Sequence, residues 1–335
     1  MSRAQLTSTV EQNTGGAVAP VVGGKNKSVN GLMDIWQRGT SFTANGYMAD
    51  HWYGLFAGTT TVSQDTDVPV GVGARYSMKF LTAASSSYAN YAQYYEAGDV
   101  IGMRGQTVVI SWYMKRNSTF SGDFGVTNIY YNNTTDASAS QTTAVSLGGY
   151  GASGRTPSTS WVRYYLYFTV PSDAVGLLIQ FNNTVAQASG AALWFTGVQL
   201  EVAAGTIPTP LSRAGGTLSG ELALCQRYYY RSTPGVGFGA YGVGGWNNSS
   251  TSVYSIIGFP VTMRVKPTAI DYSSLRLQDP GVGQIGAISS LGFAAEASVN
   301  CFYLSIGTTS AAANKIYTLM NDNNTAGYLG FSAEL

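Results

Sequence analysis

The stretch TVVISWYMKR, Thr107–Arg116, decides the fold. Val108, Ile110, Trp112 and Met114 alternate with Ser111, Tyr113 and Lys115. Successive side chains of a strand point to opposite faces, so this spacing makes one apolar face and one polar face. A helix would need its apolar positions three and four residues apart. SWVRYYLYFTVP, Ser160–Pro171, repeats the pattern, with Val162, Tyr164, Leu166, Phe168 and Val170 against Trp161, Arg163, Tyr165 and Tyr167. Ala74–Thr82, Tyr88–Gly98, Val175–Asn183 and Ala192–Val202 read the same way, between short Gly, Asn and Ser turns. Such strands predict antiparallel sheets packed face to face, a jelly-roll β-sandwich over residues 29–205.

Downstream, GTIPTPLSRAGG (Gly205–Gly216) holds two prolines and three glycines and breaks any element. In the following TLSGELALCQRYYYR, Ser219 is placed to cap a short helix over Glu221–Arg227, with Leu218, Leu222 and Cys225 on one stripe. Residues 206–227 are therefore expected to be a linker with a short helix. Residues 228–335 carry further strand signals, including SVYSIIGFPVTMRVKPTAIDY, SVNCFYLSIG, NKIYTLMN and GYLGFSAEL, and predict a C-terminal β-sandwich. Residues 1–28 lack periodicity and read as an extended anchoring arm, either disordered or ordered only by docking onto a partner. The expected fold class is all-β: arm, jelly roll, short helical linker and second sandwich.

Composition narrows function. Charged residues make up 10% of the 335, against roughly 25% for soluble domains, while apolar residues make up an ordinary 44%. Polarity comes from Ser, Thr, Asn, Gln and Tyr, which favours strands and suits a rigid extracellular or virion surface. A net charge of +1 gives no footprint for nucleic acid. Apolar runs are too short for membrane insertion. MSRAQLTSTVEQNTGG lacks the apolar core of a secretory signal, so export is expected through particle assembly or lysis after synthesis in a host cytoplasm. Cys225 and Cys301 make no disulfide framework.

A search for chemistry is mostly negative, and the chain is expected not to be an enzyme. His51 is the sole histidine, and in MADHW it reads as a strand residue at a sheet surface. Gly237-Phe-Gly-Ala-Tyr-Gly242 matches a dinucleotide fingerprint in letters, but no helix signal follows it. The acids Asp34, Asp50, Asp65, Asp67, Glu96, Asp99 and Glu201 are too sparse to predict a catalytic pair. Asp34, Asp50 and Glu201 are candidates for a structural Ca²⁺, though surface or capping roles suit each as well. Aromatic residues are plentiful, with 23 Tyr, 13 Phe and 6 Trp. A sheet face carrying Tyr113, Lys115, Trp161, Arg163, Tyr165 and Tyr167, with Tyr94 and Glu96 beside it, suits a glycan: rings stack on the sugar's C–H faces and polar groups meet its hydroxyls. The same face suits a subunit interface equally, since Tyr and Trp are favoured there too.

One further feature is a resemblance. NGLMDIWQRGTSF and GYMADHWYG, then TVVISWYMK, TSWVRYYLYFTVP, WFTGVQLEVAAGTIPTPLSR and GELALCQRYYYR, resemble a recurrent module of bacteriophage tail-fibre and other virion structural proteins over about Asn30–Arg231. The resemblance implies a jelly roll similar to carbohydrate-binding modules, a homotrimeric fibre or knob, attachment to other virion proteins through the arm, and multivalent binding of a host cell-surface glycan. It equally accommodates a capsid-decoration, head-fibre or tail-adaptor protein whose aromatic faces are buried at interfaces. Such modules usually carry Arg where this chain has His51, which argues against a metal-ligand role. The resemblance implies that Trp36 and Trp52 pack the sandwich.

Overall fold

The computed structural model describes residues 24–56, 59–84, 89–134, 136, 143–144, 147–148, 155–202, 205–242, 245–247, 249–279, 281–285, 288–309 and 311–335. Among these residues the fold is all-β. Thirteen strands precede residue 203: β1 (Ser41–Phe42), β2 (Gly46–Tyr47), β3 (Tyr53–Phe56), β4 (Thr60–Asp65), β5 (Ser77–Thr82), β6 (Ala89–Tyr95), β7 (Thr107–Arg116), β8 (Phe124–Asn132), β9 (Thr143–Ala144), β10 (Leu147–Gly148), β11 (Val162–Thr169), β12 (Gly176–Asn183) and β13 (Ala192–Val202). They form a seven-stranded sheet, β1-β4-β5-β13-β7-β11-β10, and a six-stranded sheet, β2-β3-β6-β12-β8-β9. Neighbours run antiparallel, as in β7 with β11 and β6 with β12.

The alternation read from Thr107–Arg116 is what closes the sandwich. Val108, Ile110, Trp112 and Met114 point into a core shared with Leu177, Ile179 and Phe181 of the facing sheet. Trp52 is fully buried there and Trp36 packs against the margin. A one-turn helix α1 (Ala97–Val100) and a 3₁₀ turn (Ile101–Met103) add Val100 and Met103.

The helix α2 (Leu218–Gln226) starts earlier than the sequence suggests. Thr217, not Ser219, is the cap: its backbone is extended and its hydroxyl accepts from the Gly220 amide at 3.0 Å. A cap must sit three residues before the amide it satisfies while holding non-helical backbone, and Ser219 already lies within the first turn. The remaining strands are β14 (Tyr229–Ser232), β15 (Gly245–Trp246), β16 (Ser252–Gly258), β17 (Ala269–Ser273), β18 (Leu275–Asp279), β19 (Gly283–Ile285), β20 (Ile288–Phe293), β21 (Cys301–Thr308), β22 (Ile316–Asn321) and β23 (Tyr328–Ser332). They build a three-stranded sheet, β14-β23-β17, and a seven-stranded sheet, β19-β18-β22-β15-β16-β21-β20. Val253, Phe302, Leu304 and Ile306 of the larger sheet share a core with Leu329 and Phe331 of the smaller.

Of the arm expected over residues 1–28, only residues 24–28 are described. They are pinned: Asn26 donates to the Val198 and Ser212 carbonyls at 3.0 and 2.9 Å, and Lys27 N–H donates to the Leu200 carbonyl at 2.8 Å. The proline-rich segment after residue 205 is also bonded. Thr209 donates from its amide and hydroxyl to Glu201 at 2.8 and 2.6 Å, and Ser212 N–H donates to Gln199 at 2.8 Å.

Polar groups of the stretch from Asn30 to Trp52 bond to the C-terminal half of the chain, while Met33, Met48 and Trp52 enter the core. Asn30 takes left-handed backbone (φ 53°), accepts from the Ile35 amide at 3.0 Å and donates to the Ile35 and Asp50 carbonyls. Asp50, fully buried, accepts from the Gln37 amide at 2.9 Å and from its side chain, which also reaches the Tyr229 carbonyl at 2.7 Å. His51 is not a strand residue at a sheet surface. It occupies a turn at φ 66° and is 2% exposed. Its Nδ1 lies 2.9 Å from Glu334 Oε2, its Nε2 lies 3.0 Å from the Tyr94 carbonyl, and its ring stacks on Tyr228 at 3.9 Å. Both nitrogens face acceptors, an arrangement the imidazolium satisfies fully. A local pattern cannot show this, because the carboxylate comes from the far end of the chain. Arg38 completes the cluster, 3.1 Å from Glu334 and 3.6 Å from the Tyr229 ring centre.

Burial pushes the Asp50 carboxyl up to about 6, against the pull of Arg38 and the Gln37 donors. The folded state thus binds this proton more tightly than the unfolded chain. Stability contributed at Asp50 is present at low pH and falls as pH rises from about 4 through about 6, on the order of 2–3 kcal/mol in all. Urea midpoints taken at pH 4.5, 5.5 and 7 should show this slope in the native protein and a shallower one in Asp50→Asn. Parallel curves would show that Asp50 carries no such linkage.

Candidate functional site

The outer face of the six-stranded sheet carries a row of neutral aromatic and amide side chains. On β12, Leu177, Ile179 and Phe181 go to the core, which turns Leu178, Gln180 and Asn182 outward. The antiparallel register sets Leu178 between Tyr94 and Tyr130, and Gln180 between Ala92 and Asn128. Tyr53 stands on the other side of Ala92, and Asn90 stands opposite Asn182. The small Ala92 is buried between Tyr53 and Gln180 and forms a low point in that row.

A β-bulge at Gln180/Phe181 puts one extra residue into β8. The Asn128 amide donates to Gln180 Oε1 and to the Thr127 hydroxyl, both at 3.3 Å, and the Asn182 amide donates to the same hydroxyl. A carboxamide offers two donors and an acceptor oxygen, so these bonds hold the amides in place while using part of their capacity. At the edge, Tyr47 meets Tyr53 edge-on at 5.3 Å and donates its hydroxyl to the Leu335 carbonyl at 2.8 Å. Burial, with the neighbouring Tyr53, pushes the Tyr94 phenol up, and burial with the charge of Glu334 does the same to Tyr47. Tyr47 and Tyr94 are therefore neutral at physiological pH.

The opposite outer face, on the seven-stranded sheet, gathers six of the residues expected from sequence. Arg163 lies opposite Tyr113, while Tyr165 and Tyr167 follow on β11 opposite Ser111 and Val109. A row unseen in the sequence crosses it, since Trp194 pairs with both Lys79 and Lys115. Both ammonium groups lie 4.9 Å from the Trp194 ring, and Lys115 lies 5.7 Å from Trp161. This face is largely paired within itself. Asp67 accepts from Trp161 at 2.9 Å and from Lys115, and Asp65 holds Lys79 at 3.2 Å. Burial pushes the Asp65 carboxyl up, but the Asp67 amide and Lys79 outweigh it and hold it below the ordinary range. Arg163 is spent on the Thr209 carbonyl and the Ser111 hydroxyl, at 2.8 and 2.9 Å. Gly197 at φ 67° lets the strand pass beneath Tyr113, whose ring would stand 2.7 Å from an added Cβ. Tyr165 is 42% exposed.

No family model matches the chain, and no curated protein matches its sequence. Solved structures match in part. The enzymatically active domain of tailspike protein 4 of bacteriophage CBA120 is 18% identical with a TM-score of 0.34, covering 55% of this chain and 22% of that one. The CBM22-1 xylan-binding domain of Xyn10C from Paenibacillus barcinonensis is 15% identical with a TM-score of 0.31, covering 50% of this chain and 94% of that one. A putative sugar-binding protein of Bacteroides thetaiotaomicron is 13% identical with a TM-score of 0.33, covering 53% of this chain and all of that one. This chain thus spans about a fifth of the tailspike structure.

Of the residues expected from sequence, Tyr94 belongs to the six-stranded face, apart from the six on the other sheet. Glu96 turns away from it to accept from Arg227 at 2.8 and 3.1 Å. The acids considered for Ca²⁺ are held by protein groups. Asp34 accepts from Arg213 and from the Arg75 amide at 2.8 Å, Asp50 from Gln37, and Glu201 from Thr209, with Lys25 at 3.4 Å. Among the described residues, no three His, Cys, Asp or Glu side chains are grouped to hold an ion. Sequence reading missed Tyr53, Tyr130, Asn128, Gln180 and Asn182. The signal was present in LLIQFNN, where an amide occupies every second position after Leu178, but pairing partners are needed to turn alternation into a face.

Proposed function

We propose that this chain is a bacteriophage virion fibre protein, most simply a tail fibre, that holds host-surface glycans by multivalent, non-catalytic binding. The observation that carries glycan binding is the six-stranded face, where Tyr53, Tyr94 and Tyr130 flank the amides of Asn128, Gln180 and Asn182. A sugar ring presents apolar C–H patches that lie on phenol rings, and hydroxyls that both donate to and accept from carboxamides. These groups bind without transforming, so the role is attachment. The virion assignment rests on the sequence resemblance, as do the homotrimer and the docking of the arm on other virion proteins. Weak single contacts become tight when several copies engage one surface. With 10% charged residues such binding depends little on salt.

The test is binding of the full chain, its oligomeric state verified, to immobilised bacterial and plant polysaccharides and to host cells. Tyr94→Ala and Gln180→Ala should each weaken binding about tenfold or more, the scale of a central aromatic or polar anchor. If the native protein binds and both variants bind equally well, the face is not the site. If the native protein binds neither polysaccharide nor cells, the chain is an architectural part.

A further inference from the structure

A second cleft, on the larger sheet of the C-terminal sandwich, belongs to no site described above. Strand β16 sends Val253, Ser255 and Ile257 inward and Tyr254 and Ile256 outward, while β21 sends Phe302, Leu304 and Ile306 inward and Tyr303 and Ser305 outward. Trp246 on β15 pairs with Tyr254. An added Cβ on Gly245 would stand 2.4 Å from the Tyr254 carbonyl, so only glycine lets β15 come close enough to set Trp246 beside that ring. Tyr254 and Tyr303 are near-parallel at 5.6 Å (13°), and Trp246 is tilted against them at 6.2 and 5.5 Å. The three rings form one aromatic cluster on the outer side of the sheet, with Trp246 its most exposed member.

This surface borders an open cleft of about 480 Å³, closed on its other side by Phe293 and Glu296 and edged by Ser305. Pockets of a few hundred Å³ and more hold small ligands or short oligomers. Trp246 is 44% exposed, whereas Trp52 and Trp112 are fully buried, so its ring is not spent on the core. Glu296 lines the cleft together with the three rings, and burial, with its charge and the neighbouring Tyr254, pushes the Tyr303 phenol up.

We infer that this cleft is a second saccharide-binding site, selective for uncharged sugars. The class follows from the lining. Rings fixed on paired strands lose little freedom on binding and stack on a pyranose face. Glu296, Ser305 and the tyrosine hydroxyls supply acceptors and donors for sugar hydroxyls. Among the described residues no lysine or arginine lines the cleft, and Glu296 repels phosphates, uronic acids and nucleic acid. The ligand class rests on the glycan-binding reading proposed above, but the site is independent of the six-stranded face.

The experiment separates the two. The full chain, Tyr94→Ala, Trp246→Ala, Glu296→Gln and the double variant Tyr94→Ala/Trp246→Ala are titrated against an array of neutral cello-, xylo-, manno- and N-acetylglucosamine oligomers and against polygalacturonate. Trp246 fluorescence, read as the difference from Trp246→Ala, is followed in parallel. The expected result is saturable binding of at least one neutral oligomer that survives Tyr94→Ala, falls about tenfold in Trp246→Ala and more than threefold in Glu296→Gln, and quenches the Trp246 signal. Unchanged isotherms in both cleft variants overturn the second site and leave the first standing. Loss in Tyr94→Ala alone does the same. Tighter binding of polygalacturonate than of every neutral oligomer, competition by choline chloride against the sugar, or no binding at all also overturns it. Because Trp246 is half exposed, its replacement leaves the fold intact, which circular dichroism of the variant verifies.

Discussion

Replacing Glu334 by Ala is expected to destabilise the protein by about 3–5 kcal/mol, the usual cost of removing one partner from a buried ion pair. The carboxylate is almost fully buried, 2.9 Å from His51 Nδ1 and 3.1 Å from Arg38. Burial alone would push its pKa up, but the hydrogen bond and charge of His51, with Arg38, hold it below the ordinary range. Its contribution is therefore fully present above the ordinary glutamate range and is lost as pH falls through its depressed value. Without it, Arg38 and His51 lose the carboxylate they share beside the rings of Tyr228 and Tyr229. A thermal midpoint lower by about 5 °C or more is the corresponding readout at neutral pH. Glu334→Gln should cost less because it keeps an acceptor toward His51. A double-mutant cycle with His51→Gln should return a coupling above about 1 kcal/mol. A cycle with no coupling would mean that the His51–Glu334 contact itself contributes nothing to holding the two halves together.

The second large effect is expected at Trp112. It is fully buried, edge-on to Phe181 at 5.3 Å and stacked with Tyr164 at 6.4 Å, and Gly125 packs so closely that an added Cβ would stand 3.0 Å from the indole. Trp112→Ala should cost about 3–5 kcal/mol through lost burial and an unfilled cavity. On the same sheet Tyr165 faces outward and is 42% exposed, so Tyr165→Ala should stay within about 0.5 kcal/mol. Comparing the two by urea denaturation tests the two-residue period directly. Equal losses would mean that the outer face is packed as tightly as the inner one.

Much of the fold was legible because strand alternation is a local property. Thr107–Arg116 and Ala192–Val202 are strands over the full stretches read from sequence, and each puts four apolar side chains into the shared core. The cap of α2 was misplaced by two residues because Ser219 and Thr217 carry equivalent hydroxyls, and only backbone geometry separates them. His51 was misread for a different reason. Asp50 and Trp52 flank it like strand neighbours, but its partners are Glu334, Tyr94 and Tyr228, all distant in sequence. The expected glycan face divides in the same way. Tyr94 and Tyr113 both point away from the core, yet they stand on sheets whose outer surfaces face in opposite directions.

The sequence by itself determined the all-β class, the inward set of Thr107–Arg116, and the scarcity of charge that favours stacking and amide recognition over ionic contacts. Each follows from neighbours within a few residues or from composition. The tertiary structure alone decided which outward residues share a surface. Register set Leu178 between Tyr94 and Tyr130, and strand order brought Trp246 to Tyr254 and Tyr303. It also decided that the lysines of the seven-stranded face are already paired with carboxylates. Those facts depend on which strands lie side by side, and hydrophobic alternation carries no information about that.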